Sequence, residues 1–256
     1  MEIRELIEKL NEKYPLDLQE EWDNSGLQVG NLENQLSGVL ISLDLEDKGV
    51  DMAIENNCNL IITHHPYLFN GTKSIDFNDR FYNRLKKIIK NDITVFAMHT
   101  NLDIAEDGLN DNLCNILEIK NTKVLECDKE IGLGRFGYVE AIKAMDFAKV
   151  IKEKLGASGL VCYGDMDKEI SVIGVCGGAG SSLFDDALGQ GCDIMLTGDV
   201  SYHMGMDYSN RGLVIIDPGH FSSENHIVYK LQEDIKKLVD VEVMTFSKED
   251  SFRTFI

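Results

Sequence analysis

Basic residues are scarce in this chain: 25 lysines and arginines stand against 44 aspartates and glutamates, a formal net charge of −19. Such a field repels phosphate backbones and anionic membrane surfaces, which argues against general nucleic-acid binding and membrane association, and it favours cation capture. Long apolar runs are also missing: none approaches the ~20 residues that a membrane helix needs. MEIRELIEKLNEKYP, at the start, carries acids from its second residue and has no apolar core, so it is not expected to act as a signal peptide. Its Ile3, Leu6, Ile7 and Leu10 recur at helical spacing and predict an amphipathic helix that stops before Pro15. The six cysteines (58, 114, 127, 162, 176 and 192) form no CxxC pair. They read as reduced, mostly buried thiols, not as a disulfide frame or a sulfur-ligated zinc site, and the expected compartment is the cytoplasm.

What is present fits an ordinary globular protein. The 256 residues, 43% hydrophobic and 27% charged, suffice for one large α/β domain or two smaller ones with a substantial core. Short apolar strands alternate with helical segments. GVLISLDL (38–45) is a strand, KGVDMAIENN (48–57) a helix and CNLIITHHP (58–66) a strand. FYNRLKKIIKND (81–92) is a helix, ITVFAMH (93–99) a strand and GLNDNLCNIL (108–117) a helix.

The later residues repeat this plan. ISVIGVC (170–176) is a strand and SSLFDDALGQG (181–191) a helix. CDIMLTGDVSYH (192–203) is a strand running into a turn, RGLVIIDPGH (211–220) a strand and SENHIVYKLQEDIKKL (223–238) a helix. Set over GQGCDIMLTGD, ENNCNLIITHH places Cys58 on Cys192 and Thr63 on Thr197, and VFAMHTNLD then falls opposite LVIIDPGHF. This describes two similar α/β halves, an internal duplication, set against chance likeness of two βαβ units. The expected division is 1–128, carrying His64, His65 and Asp103, and 129–256, carrying His220 and Glu224, with mixed sheets and a metal site between the halves. A helix around Asp146 to Leu155 and the segment GLVCYGD (159–165) belong to the opening of the second half.

Ligand sites of α/β sheets gather at the carboxyl ends of strands, and three strands here end in metal-capable residues. The first supplies His64 and His65, the second His99 and Asp103, the third Asp217, His220 and Glu224. A helix starting near Phe221 or Ser222, with Ser222 or Ser223 as its N-cap, puts His220 and Glu224 on one face. Imidazoles with carboxylates suit zinc, manganese, iron or cobalt, and Glu224 has the two oxygens that bridge a pair of ions. Solvated turn residues are the competing reading for each one. His99 is placed as a second-shell or proton-transfer group. His203 either reaches the site in the same role or caps a turn.

WDNSGLQVG (22–30), ITHHP (62–66), HTNLD (99–103), GLGRFG (132–137), TGDVSYH (197–203) and DPGHFSSE (217–224) resemble the signature blocks of the Nif-three-like family. Bacterial members carry the label GTP cyclohydrolase I type 2 homologue. The resemblance runs from about residue 3 to the C-terminus. It implies two related α/β halves, a toroidal homohexamer built from trimers, and a dinuclear centre of two divalent ions held by His64, His65, Asp103, His220 and Glu224, with Glu224 bridging. The connection ECDKEIGLGRFGYVEAIKAMD marks the short form, without the domain that some relatives insert.

GLGRFG has the GxGxxG spacing, but YVEAI after it reads as a strand, so it is not a dinucleotide turn. The resemblance favours Arg135 as a contact to an anionic substrate. GVCGGAGSSLFDDAL (174–188) is strand, glycine loop and helix without GK[ST]; it is either an anion-binding loop or a tight turn. Trp22 is expected on the core. The resemblance, not the spacing, places Asp23 and Asn24 at the metal cavity, toward substrate or a metal-bound water. The expected function is a metal-dependent hydrolase acting on a nucleotide or phosphoester, with a non-catalytic metal-binding, delivery or interaction protein as the alternative.

Overall fold

The computed structural model describes residues 1–247. The chain opens with α1 (Ile3–Lys13), β1 (Gly26–Val29), β2 (Gly38–Ser42), α2 (Asp47–Glu55) and β3 (Leu60–Thr63). There follow α3 (Arg80–Lys90), β4 (Thr94–Ala97), α4 (Thr100–Ile104), α5 (Leu109–Ile116), β5 (Lys120–Val124) and β6 (Arg135–Lys143). Then come α6 (Ala144–Lys154), β7 (Val161–Tyr163), β8 (Glu169–Val175), α7 (Phe184–Gly189) and β9 (Ile194–Leu196). The last elements are α8 (Tyr202–Asn210), β10 (Val214–Asp217), α9 (His220–Glu224), α10 (His226–Lys236) and β11 (Glu242–Phe246).

Two mixed sheets result, ordered β1-β4-β3-β2-β11 and β5-β6-β8-β9-β10-β7. In the first, β11, β2, β3 and β4 are parallel and β1 is antiparallel to β4. In the second, β8, β9 and β10 are parallel, β7 is antiparallel to β10, and β6 is antiparallel to β8 and β5. Central parallel strands are covered on both faces, so they read as unbroken apolar runs. Every residue of β2, β3 and β4 is buried. In β8–β10 the two faces feed different cores: Ile173, Ile194 and Ile216 pack with Phe147 and Ile151 of α6, while Met195 and Ile215 pack with Phe184 of α7.

The duplication is visible in the topology. The run β1, β2, β3, β4 and the run β7, β8, β9, β10 share one plan: three parallel strands in chain order, with the opening strand antiparallel on the last. With Leu60 on Ile194, the pairings Leu60–Thr94 and Ile194–Val214 put Thr94 on Val214, so the α4 residues Thr100–Ile104 fall on His220–Glu224 of α9. The sequence alignment set Val95 opposite Leu213, two residues away. A two-residue shift preserves the in/out alternation of a strand, so hydrophobic pattern alone does not detect it.

The compact units differ from the division at 128. One holds Met1–Leu102 with residues 227–247, the other Asp103–His226. The cause is β11, which pairs in parallel with β2 over five residues and returns the C-terminal segment to the first sheet. Asp103 opens the second unit and does not belong to the first half, because α5 just after it packs on β5, β6 and β8. The expected end of the second half, residue 256, lies outside the described residues. Helix α8 and strands β1 and β11 are further additions. Only Gly205 of α8 is fully buried, with Met204 and Tyr208 partly buried beside it, so its apolar stripe is too short to announce it.

In the first unit α10 is tied to α1 through Asp234, which accepts from Lys13 Nζ (2.8 Å), Tyr14 Oη (2.7 Å), Lys230 Nζ (3.1 Å) and Lys237 Nζ (3.1 Å). Burial pushes the Asp234 carboxyl up, but these four donors outweigh it and hold it well below the usual carboxylate range. Asp234→Ala removes their shared acceptor and is expected to cost about 1–3 kcal/mol at pH 7. A depressed carboxylate stabilises fully above its unfolded value near ~3.9 and loses that contribution as pH falls through the folded one. Urea unfolding should therefore show a smaller gap between wild type and variant at pH 3 than at pH 7.

Candidate metal centre

In the first unit the histidines stand where parallel strands end. Past β3, His64 N and His65 N still donate to Ser42 O (3.1 Å), the end of β2, and to Leu43 O (3.0 Å) just after it. Thr63 Oγ1 donates to His65 O (2.8 Å) and closes a turn. That turn brings both imidazoles to one place, with ring centroids 5.0 Å apart and planes tilted by 48°. His99, past β4, completes the group with centroids 5.2 Å from His64 and 5.6 Å from His65. Ligand nitrogens of the three lie within 4.8 Å of one another.

Each ring is oriented through Nδ1. His64 Nδ1 meets Met98 O at 2.8 Å, His65 Nδ1 meets Asp44 Oδ1 at 2.8 Å, and His99 Nδ1 meets Asp23 Oδ1 at 2.7 Å. A carbonyl or carboxylate only accepts, so Nδ1 donates and the lone pair of each neutral ring is on Nε2. Metal-ligating histidines have this arrangement. Asp23 also accepts from Ser25 Oγ (2.8 Å), Thr100 Oγ1 (2.6 Å) and Thr100 N (3.1 Å). Burial raises its pKa, and the hydrogen bonds from His99, Thr100 and Ser25 more than reverse this, keeping Asp23 ionised far below neutral pH.

In the second unit α9 starts at His220, earlier than the serine cap predicted, because Gly219 takes φ 85° as its N-cap. His220 Nε2 and Glu224 Oε2 are 3.0 Å apart, close to the ~3.3 Å between N and O ligands of one tetrahedral cation. His220 Nδ1 meets Asp199 Oδ2 at 2.8 Å. Glu224 and Asp103 are buried, and both carboxylates act on the Cys176 thiol, which burial first of all pushes up.

The glycine loop after β8 closes around these groups. A Cβ on Gly178 would meet Glu224 Oε1 at 2.3 Å, and one on Gly198 would meet His220 N at 2.7 Å. The loop amides have internal acceptors: Gly177 N donates to Asn110 Oδ1 (2.9 Å), Gly178 N to Ser223 Oγ (3.0 Å) and Gly180 N to Thr197 Oγ1 (2.7 Å). Of the two readings of this loop, the structure takes the tight turn.

In the first unit three imidazoles have their Nδ1 atoms held, and in the second a buried carboxylate stands beside an imidazole; each group has the donor types that fit a borderline divalent cation. His64, His65 and His99 are brought together in one unit, and His220 and Glu224 in the other, with Asp103 near the same Cys176. Asp44 and Asp199 are orienting residues that sequence reasoning missed. Asp199→Asn keeps a residue suited to the left-handed φ of 54° while weakening the acceptor for His220. It is expected to lower zinc affinity roughly 10–100-fold by calorimetry, with unchanged Tm in the metal-free protein.

Other expected site residues are placed elsewhere. Arg135 is buried and donates to Asp111, Gly132 O, Gly134 O, Ile104 O and Ala105 O, so its guanidinium braces a turn and does not present itself to an anionic substrate. Its turn leads into β6 with no helix, in keeping with the rejected dinucleotide fingerprint. Asn24 Nδ2 donates to Leu68 O (2.7 Å) and ties two loops. His203 is exposed on α8 with its ring 5.4 Å from that of Tyr202, outside the converging groups found among the described residues. Asp217 accepts from Val200 N (2.9 Å) and Gly219 N (2.7 Å), a turn-closing role. Trp22 is 60% exposed instead of sitting on the core. Among the described residues no helix is long and apolar enough to cross a membrane. The cysteines are free, four of them buried, and burial pushes Cys58 up to about 11 and Cys192 to about 12.

The chain is similar to known proteins over its whole length. A family model described as Duf34/NIF3 (NGG1p interacting factor 3) matches residues 1–251. A Clostridium perfringens protein named GTP cyclohydrolase 1 type 2 homolog is 35% identical over 95% of this chain and 94% of its own length. A Helicobacter pylori protein named GTP cyclohydrolase 1 type 2 is 34% identical over 94% of this chain and 95% of its own. Among solved structures, a Bacillus cereus protein related to NIF3 aligns with TM-score 0.94 and 25% identity over 100% of this chain and 99% of its own. Reduced HcgD from Methanocaldococcus jannaschii aligns with TM-score 0.85 and 29% identity over 97% of this chain and 98% of its own. With its signature blocks, its duplicated sheets and these full-length matches, the chain belongs to the Duf34/NIF3 family.

Proposed function

We propose that this protein binds two divalent metal ions and acts as a hydrolase on a nucleotide or phosphoester. The observation that carries this reading is the convergence of His64, His65 and His99 to within 4.8 Å with every Nδ1 engaged. His64 and His65 of the first unit, and Asp103, His220 and Glu224 of the second, are the residues that would hold the ions. A pair of cations held there would supply Lewis-acid polarisation of the scissile centre and a nucleophilic water near neutral pH. His99 holds a proton on Nδ1 against Asp23, which fixes the direction its other nitrogen faces. The name of the Helicobacter pylori relative supports ring opening of GTP as the first reaction to assay.

The 44 acidic residues against 25 basic ones favour a second reading, a cation carrier without turnover. The two separate on incubating the manganese- or zinc-loaded protein with GTP and with bis(p-nitrophenyl) phosphate. The hydrolase reading expects product that Glu224→Gln abolishes. Metal that exchanges freely, with no turnover of either compound, supports the carrier.

A further inference from the structure

Beside the imidazole cluster the first unit displays two large apolar rings. Trp22 is 60% exposed and Phe69 is 48% exposed. Their centroids are 6.2 Å apart with planes at 65°, and each meets His99 edge to face, Trp22 at 6.0 Å and 79°, Phe69 at 6.3 Å and 83°. Three steeply inclined rings make a corner with aromatic walls. A planar ring entering it stacks on one wall and meets the others edge-on, the two arrangements that aromatic quadrupoles favour.

The exposure is not that of a loose loop. Residues on either side of Trp22 are pinned: Asp23 by its contacts to His99, Thr100 and Ser25, and Glu20 by donation of its N–H to Thr100 Oγ1 (2.9 Å). Leu68, just before Phe69, donates from N to Gln28 Oε1 (3.0 Å) and accepts at O from Asn24 Nδ2 (2.7 Å). Gln28 is itself buried and donates from Nε2 to Asn24 O (2.7 Å). Polar side chains thus lock the two ring-bearing loops to each other, and the rings stay in water beside His99.

We propose that Trp22 and Phe69 form a stacking site that selects ligands carrying a planar heteroaromatic ring, of the nucleobase class, and seats that ring against His99. This deepens the reading above, because it rests on His64, His65 and His99 lining a ligand site. It also assigns Asn24 a role, that of holding the two loops together, in place of direct substrate contact.

Trp22 is the only tryptophan, so its fluorescence reads the stack directly, with or without metal. The zinc-loaded and the metal-free full-length protein are each titrated with guanosine 5′-monophosphate, uridine 5′-monophosphate and ribose 5-phosphate, by emission and by calorimetry. Quenching by the two ring-bearing compounds is expected, with guanosine monophosphate bound at least about ten-fold more tightly than ribose phosphate. Phe69→Leu, which keeps apolar area but loses the ring, and Trp22→Ala, read by calorimetry, should each erase most of that preference while leaving zinc content unchanged. Equal affinity for ring-bearing and ring-free compounds, no binding of either, or a preference that survives both variants overturns the proposal. Turnover of ring-free phosphoesters without any ring preference would leave the hydrolase reading intact and sink this one. Ring-dependent quenching in a protein that takes up no metal would do the reverse.

Discussion

Glu224→Ala is expected to lower bound divalent metal by more than about a hundred-fold in affinity while the chain still unfolds cooperatively. The reasoning starts from the place of this carboxylate in α9. Glu224 is 3% exposed, its Oε2 stands 3.0 Å from His220 Nε2, and Gly178 lacks the Cβ that would collide with Oε1. Loss of an orienting partner already costs roughly 10–100-fold in metal affinity, and Glu224 is itself a proposed ligand. The fold should survive. Ser223 still donates to His220 O (2.7 Å) and accepts from Gly178 N (3.0 Å), so α9 keeps its anchor. Glu224→Gln, of nearly equal volume, separates loss of charge from the cavity that alanine leaves. Calorimetry with zinc and a thermal melt of the metal-free protein check both halves of the statement. Full metal binding by both variants would remove Glu224 from the ligand set.

Gly198→Ala is expected to be a damaging single-methyl change at the site. The added Cβ would lie 2.7 Å from His220 N, 2.9 Å from His220 Cα and 3.0 Å from Gly219 C. These are backbone atoms at the start of α9, and they cannot turn aside as a flexible side-chain end can. Overpacking of this kind costs about 1–3 kcal/mol, which for a protein of this size is a fall in Tm of roughly 2–12 °C. Relief by displacement of α9 would move His220 and Glu224 together, so metal affinity should fall along with Tm. Gly71→Ala is the control, since nothing lies within 4 Å of a Cβ there, and it should leave both quantities unchanged. A Gly198→Ala protein with wild-type Tm and metal affinity would show that the β9–α9 packing is looser than described.

The sequence made the site's centre legible for a local reason. A buried parallel strand is a run of apolar residues, so the polar residues that follow it, His64 and His65 after β3 and His99 after β4, mark where the backbone leaves the sheet. The repeat was legible from the same pattern, although its second pair of strands was set two residues out of register. Asp44 and Asp199 were not legible. Their roles depend on contacts with His65 and His220, each 21 residues away, and 44 acidic residues offer no local clue to which two will make them. Helix α8 was missed because it fully buries only Gly205, whose missing Cβ makes room for the Tyr163 ring. The return of the C-terminal segment to the first unit was missed because it is set by the pairing of β11 with β2, a contact spanning most of the chain. Arg135 misled for a different reason: an arginine in a glycine-rich turn looks available for an anion until its backbone acceptors are known.

The most direct test of the metal reading is metal content per chain, by plasma mass spectrometry on protein purified without chelator or an affinity-metal column. The predicted result is about two transition-metal ions per chain, falling when Glu224 or Asp103 is replaced by alanine. Essentially no metal as purified, and none retained after adding zinc, manganese or iron, would contradict it and leave His64, His65 and His99 as a hydrogen-bonded turn.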